Sequence, residues 1–169
     1  MNHFGKKVEC DGIKFDSAKE CDFYLRFIKN CGKNYHVHPS YPLFEKFPVG
    51  GYSMRGISYA PDFVVFDSDE IAHVYDVKTS LSQQAIDSAA KLRFKLFAKR
   101  YGIPVEVVVP RKHDFKAKFY GFTNPRLQNA HARRDRHGNV KLNKSGSVMY
   151  EYYDVHHSVN YDIHDTIGR

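Results

Sequence analysis

The chain has no apolar run near the roughly 18 residues that a membrane-crossing helix needs. No apolar signal core follows the opening Met1-Asn2-His3-Phe4-Gly5-Lys6-Lys7. The expectation is a cytoplasmic protein without a membrane partner. Cysteine is scarce: Cys10, Cys21 and Cys31 are odd in number and contain no C-x-x-C pair. That argues against a disulfide framework or a zinc ribbon, and for a reducing compartment. Internal repeats and low-complexity segments are also missing. Acids are in deficit, 19 against 26 basic residues, giving a net charge of +7 and a pI near 9.2. Such an excess favours an anionic partner, nucleic acid first among them.

What is present is enough for a core. Of the 169 residues 42% are apolar and 15% aromatic, which excludes wholesale disorder and fits one domain, with or without an appendage. Residues 8–15 read as a short extended lead-in. A helix is expected over 16–30, with Phe23, Phe27 and Ile28 as its apolar stripe and Gly32 as its stop. Residues 35–47, with Pro39 and Pro42, read as extended edge structure. Gly50-Gly51 marks a turn, and 52–59 reads as a strand. Residues 82–101 form the best helical pattern, with Ala85, Ala89, Leu92 and Leu96 in one apolar row and Ile86, Ala90 and Phe97 beside it. Gly102 and Pro104 end that helix, and 105–109 is a largely buried strand. The order is an α/β pattern with a mixed sheet.

Character changes after Pro110. Residues 111–144 carry ten Lys/Arg against two acids, whereas 145–169 carry four acids against one base, with Tyr150, Tyr152, Tyr153 and Tyr161. The division expected is a core over 1–110 and a C-terminal extension over 111–169, basic to 144 and then acidic and tyrosine-rich.

The most informative stretch is 59–78, Y-A-P-D-F-V-V-F-D-S-D-E-I-A-H-V-Y-D-V-K. It reads as a hairpin turning at 67–70, with acids on apolar strands. Asp62 precedes one run. Asp76 lies near the end of the next, and Lys78 shares its face because strands alternate. Charges so placed are costly unless compensated. If Phe66 pairs with Ala72, Asp62 faces Asp76, and a hard divalent cation turns that repulsion into a site. If Phe66 pairs with Ile71 instead, the acids fall on opposite faces. The metal reading therefore predicts that the paired residue numbers sum to an even value near 138, barring a bulge.

Pro61-Asp62 and Asp76-Val77-Lys78 resemble the two half-motifs of the PD-(D/E)XK nuclease superfamily. Upstream, G-I-K-F-D-S-A-K-E-C-D-F-Y-L (12–25) and R-G-I-S-Y-A-P-D-F (55–63) look like the matching segments of small phage endonucleases. That group is similar to phage Holliday-junction-resolving and transposon end-cleaving nucleases. The resemblance covers residues 10–109. It implies a restriction-endonuclease-like αβββαβ core with a mixed sheet, to which 111–169 would be a basic extension. It implies Mg²⁺, with Mn²⁺ as a substitute, held by Asp62, Asp76 and the Val77 carbonyl, with Lys78 catalytic. Glu20 would complete the site on a second ion or a water. The activity implied is Mg-dependent cleavage of branched or structured DNA by a homodimer, in a host cytoplasm if phage-encoded. Asp76 stands where many members have glutamate, which bears on metal preference.

Alternatives stand beside these assignments. Ser17-Ala18-Lys19-Glu20 is also an S-x-x-E capping box, in which Glu20 only satisfies a backbone N–H. Lys91, Lys95 and Lys99 form a basic row that is a solvated face or, beside a nuclease site, a phosphate-positioning one. Arg133, Arg134 and Arg136 solubilise a loop or contact phosphate. Cys31, His36 and His38 are close enough to raise a zinc site, without a second cysteine pair to support it. His131, His137 and Asn139 faintly match a histidine-asparagine-histidine nuclease, without a readable ββα context. The competing functional class is a non-catalytic nucleic-acid-binding phage protein that retains the nuclease fold.

Overall fold

A computed structural model of the chain describes residues 6–169; residues 1–5, most of the stretch read for a signal core, lie outside the described residues. The chain opens with an antiparallel hairpin, β1 (Val8–Cys10) and β2 (Ile13–Phe15). Helix α1 (Ala18–Phe23) follows, capped by Ser17, and continues into a π-helical turn at Tyr24–Ile28. Its stripe is the expected one, with Phe23, Phe27 and Ile28 buried. A disulfide joins Cys10 to Cys21, with Cα atoms 6.3 Å apart, leaving Cys31 free. This corrects the expectation of unpaired cysteines: the β1–β2 hairpin folds back on α1 and brings together two thiols whose spacing in sequence carries no pairing rule.

Four short strands form two side hairpins. Strand β4 (Tyr41–Phe44) pairs with β7 (Ile57–Tyr59), and β5 (Phe47–Val49) pairs with β6 (Tyr52–Met54). The strand expected over 52–59 is thus two strands. They part at Gly56, where a Cβ would collide with the Phe44 carbonyl.

The main sheet has six strands in the order β14-β11-β10-β9-β8-β3. These are β3 (Asn34–Val37), β8 (Phe63–Asp67), β9 (Glu70–Val77), β10 (Glu106–Pro110), β11 (Phe115–Phe119) and β14 (Asp154–His156). Only β9 and β10 run parallel, so the sheet is mixed, as expected. Helix α2 (Ser88–Tyr101) connects that parallel pair. One face of the sheet packs Phe63, Tyr75 and Phe115 under Phe23, Tyr24 and Phe27. The other packs Val64, Val74 and Val107 under Phe94 and Phe97 of α2.

Helix α2 starts later than its apolar pattern suggested. Asp87 is the cap and accepts from the Ala90 amide at 2.7 Å, while Ser82 closes a separate turn by accepting from the Ala85 amide. Of the expected pattern Ile86 and Phe97 are buried, whereas Leu92 is 56% exposed and Phe94 enters the core instead.

Strands β11 and β14 carry the sheet past residue 110. A second hairpin, β12 (Ala130–Ala132) with β13 (Tyr150–Tyr152), stands beside it, and a short helix α3 (His164–Ile167) closes the chain. A buried polar network ties the tail to the sheet. His73 Nδ1 meets Glu106 Oε1 at 2.7 Å, the Tyr161 hydroxyl donates to Glu106 Oε2 at 2.5 Å, and His73 Nε2 meets the Tyr161 carbonyl at 3.0 Å. Burial, then the neighbouring Glu106 charge, pushes the Tyr161 phenol well above its usual range and keeps it a donor.

Candidate metal centre

The hairpin register decides where the acids point. Phe63 pairs with Tyr75, Val64 with Val74 and Val65 with His73, so the paired numbers sum to 138 beside the acids. Nearer the turn, Phe66 pairs with Ile71 and Asp67 with Glu70. The two-residue turn at Ser68-Asp69 imposes an odd sum, and a bulge at Ala72 restores the even one. The paired register ends at Phe63 and Tyr75; Asp62, one residue before it, donates its amide to the Tyr75 carbonyl at 3.0 Å, and its carboxylate reaches the Asp76 end of β9 through the Val77 amide.

Each side chain is then held by specific partners. Asp62 Oδ2 accepts the Val77 amide at 2.6 Å. Burial pushes the Asp62 carboxyl well above its usual range; the charges of Asp76 and Glu20 push the same way, against the Val77 amide and Lys78. Asp76 is 6% exposed and accepts the Tyr59 hydroxyl through Oδ2 at 2.8 Å. Its Oδ1 is buried and accepts no hydrogen bond, meeting only the Lys78 ammonium as an ion pair. Burial opposes the charge on Lys78, but Asp76, then Asp62 and Glu20, outweigh it and raise the lysine above its usual value.

Glu20 makes the capping contacts that its sequence allowed and also faces His38. The Ser17 hydroxyl accepts the Glu20 amide at 3.2 Å and donates to Oε1 at 3.0 Å, while Oε2 accepts the Asp16 amide at 3.1 Å. That is a capping box displaced by one residue at its return bond. The same Oε2 lies 3.3 Å from His38 Nε2. One ligand atom each from Glu20, His38 and Asp62 lies within 4.8 Å of the others, the spacing of a metal-binding group. Asp76 is not in that set; it borders the set through Asp62.

His38 is the residue that the sequence misassigned. The structure keeps it away from a zinc set with Cys31 and His36, since His36 packs on the Phe66 ring and Cys31 Sγ lies against the Lys33 carbonyl. His38 lies past the end of β3 with φ at +49°, and its amide donates to the Asp62 carbonyl at 3.0 Å. That left-handed turn takes it out of strand alternation and onto Glu20.

The donor set suits a divalent cation. Glu20 and Asp62 offer carboxylate oxygens to a hard ion, and the His38 imidazole beside them fits Mn²⁺ better than Mg²⁺.

The expected nucleic-acid contacts scatter. Lys91 Nζ bonds the Gln83 carbonyl at 2.8 Å and side chain at 2.9 Å, bracing the turn before α2. The Lys95 stem lies on Gly121, and Lys99 is exposed. Arg133 and Arg134 line a groove of about 630 Å³, with Arg134 bonded to the Gly138 carbonyl at 2.7 Å. Arg136 meets the neighbouring His137 ring. Asn139 and His137 serve a turn around Asp135, and His131 stacks on Tyr153 at 3.9 Å, so the histidine-asparagine-histidine set is spent on structure.

Fold and site together define a mixed α/β protein with an acid-rich centre beside the central strands. The chain belongs to a family described as a protein of unknown function, DUF1064, which matches residues 2–117 and so spans α1, the acidic hairpin and α2. No curated protein and no solved structure matches it.

Proposed function

We propose that the protein is a metal-dependent endonuclease that hydrolyses phosphodiester bonds in branched or structured DNA, on a restriction-endonuclease-like core. The observation that carries this reading is the gathering of Asp62, Asp76 and Lys78 at one end of the bulged hairpin, with Lys78 on Asp76 and Glu20 close to Asp62. Asp62 and Asp76, with the Val77 carbonyl, would hold one ion. Glu20 and His38 would hold a second ion or its water. When bound, Mg²⁺ or Mn²⁺ supplies polarisation of the phosphoryl oxygen and a lowered pKa for water.

The protein's own groups do the rest. Lys78, kept cationic by its acids, orients the attacking water and neutralises charge developing on the phosphate. Water adds to phosphorus and gives up a proton to solvent, one P–O bond breaks, and the departing oxygen takes a proton from water, leaving a phosphate monoester and a hydroxyl end. Tyr59 holds Asp76 in place by its 2.8 Å bond. A homodimer would set two such centres on two strands. The exposed apolar residues of the β5–β6 hairpin, Phe47, Val49, Tyr52 and Met54, are its proposed contact.

Nicking of supercoiled plasmid in Mg²⁺ or Mn²⁺, with EDTA as control, tests the activity. Cutting that needs the cation and disappears in Lys78→Ala, with DNA binding kept, supports it. DNA binding without any cutting would favour the non-catalytic alternative.

A further inference from the structure

The face of the sheet that carries the acids does not end at the metal centre. Asp76 pairs with Val107, and Val107 pairs with Lys118; Val109, one repeat further, pairs with Lys116. Paired residues share a face, so Lys116 and Lys118 lie on the same side as Asp76 and Lys78. At about 4.8 Å per strand they stand about 10 Å away. The 79–84 loop, which leaves Lys78 directly, forms one wall of a groove over these lysines, and the β12–β13 hairpin forms the opposite wall.

The groove gathers positive charge without matching it. Lys116, Lys118, Arg133 and Arg134 line it against one acid, Glu151, whose contact with Lys116 is long at 3.8 Å. Lys118 has no ion-pair partner among the described residues and reaches over the Tyr120 ring at 5.4 Å. Burial pulls the Lys118 ammonium below its usual value, and Arg133 adds to that against Glu151. Converging cations are favourable only when an anion joins them. Aromatic rings edge the same groove: Phe122 is 42% and Tyr150 53% exposed. Basic side chains interleaved with exposed rings match a single nucleic-acid strand, with phosphates on the cations and unpaired bases on the rings.

We propose that this groove is the track for one unpaired DNA strand leaving the cleavage centre. The substrate class is then DNA with a single-stranded segment next to the scissile bond, such as a fork or flap, rather than plain duplex. The inference rests on the nuclease reading for the strand's starting point, but its test does not need cleavage. Fluorescence anisotropy in EDTA is measured with a labelled oligo-dT, a forked duplex, a blunt duplex and a matching oligo-U. Oligo-dT and the fork should bind at least about tenfold tighter than the blunt duplex. Lys118→Gln with Arg133→Gln should flatten the log K against log salt slope by about 1.4, the share of two phosphate contacts on a single strand. Tyr150→Ala, a surface change that leaves the core intact, should weaken oligo-dT about tenfold without changing that slope. Lys14→Gln, outside the groove, is the control for charge. Equal affinity for blunt duplex, an unchanged slope in the double variant, no loss in Tyr150→Ala, or tighter binding of oligo-U than oligo-dT would each overturn the proposal. Strand binding that behaves as expected in a protein that never cuts would overturn the nuclease reading alone.

Discussion

Asp62 is the residue at which the fold and the proposed chemistry conflict. Its carboxyl is pushed above the unfolded value by burial and by Asp76 and Glu20. A group raised in the folded state stabilises while protonated, and that contribution is lost as pH rises through the raised value. Above the unfolded carboxyl range and without metal, burying Asp62 therefore costs the fold stability. Asp62→Asn keeps an acceptor for the Val77 amide and removes the charge. It should raise the melting temperature in EDTA at pH 7.5 by about 2–4 °C, the shift that ~1 kcal/mol gives in a chain of this size. Adding Mn²⁺ should raise wild type and leave the variant unmoved. A variant that melts lower than wild type in EDTA would contradict this. His38 makes a second prediction at this scale: His38→Ala should lose more Mn²⁺ affinity than Mg²⁺ affinity by calorimetry, because imidazole suits Mn²⁺ better. The gathering of Asp62, Asp76 and Lys78 at one end of the hairpin was legible from residue type and spacing. Glu20 was not decidable, since one carboxylate bonds Asp16 and Ser17 and still faces His38. His38 was hidden because H-x-H on a strand puts both rings on one side, and only the positive φ breaks that alternation.

Elements show the same division. The mixed sheet and the acidic hairpin followed from apolar runs and turn residues. The bulge did not, because a two-residue turn alone demands an odd register. It takes tertiary packing of Val64 and Val74 against α2 to select the shifted alignment. Helix α2 was readable as a helix with Phe97 on its buried side, but not at its start, where the Asp87 cap replaces Ser82, nor at Leu92. Phe97, fully buried, packs on Tyr41, Tyr59 and Tyr101, and Tyr59 holds Asp76. Phe97→Ala should cost about 3–5 kcal/mol by chemical denaturation, whereas Leu92→Ala, at an exposed site, should stay within about 0.5 kcal/mol. Equal losses at both positions would mean that Leu92 is buried as the expected apolar row had it.

Across the whole molecule, the tail is part of the sheet rather than an addition to it. Its pairing was illegible in sequence because β14 joins β11 from far along the chain, and three-residue strands leave no periodicity to read. The clamp of Tyr161 on Glu106 and His73 makes that union energetic. Tyr161→Phe leaves buried Glu106 short of a donor and should cost about 2 kcal/mol, read as a lower denaturation midpoint. An unchanged midpoint would show that the tail is not anchored there.

In the proposed nuclease these acids and Lys78 cut DNA. Single-turnover cleavage of an end-labelled four-way junction in Mn²⁺, with wild type beside Asp76→Asn, tests it most directly. Metal-dependent cutting by wild type, reduced at least about a hundredfold in the variant with junction binding retained, is the predicted result. Cutting by Asp76→Asn at the wild-type rate, or none by wild type in either Mn²⁺ or Mg²⁺, would contradict it.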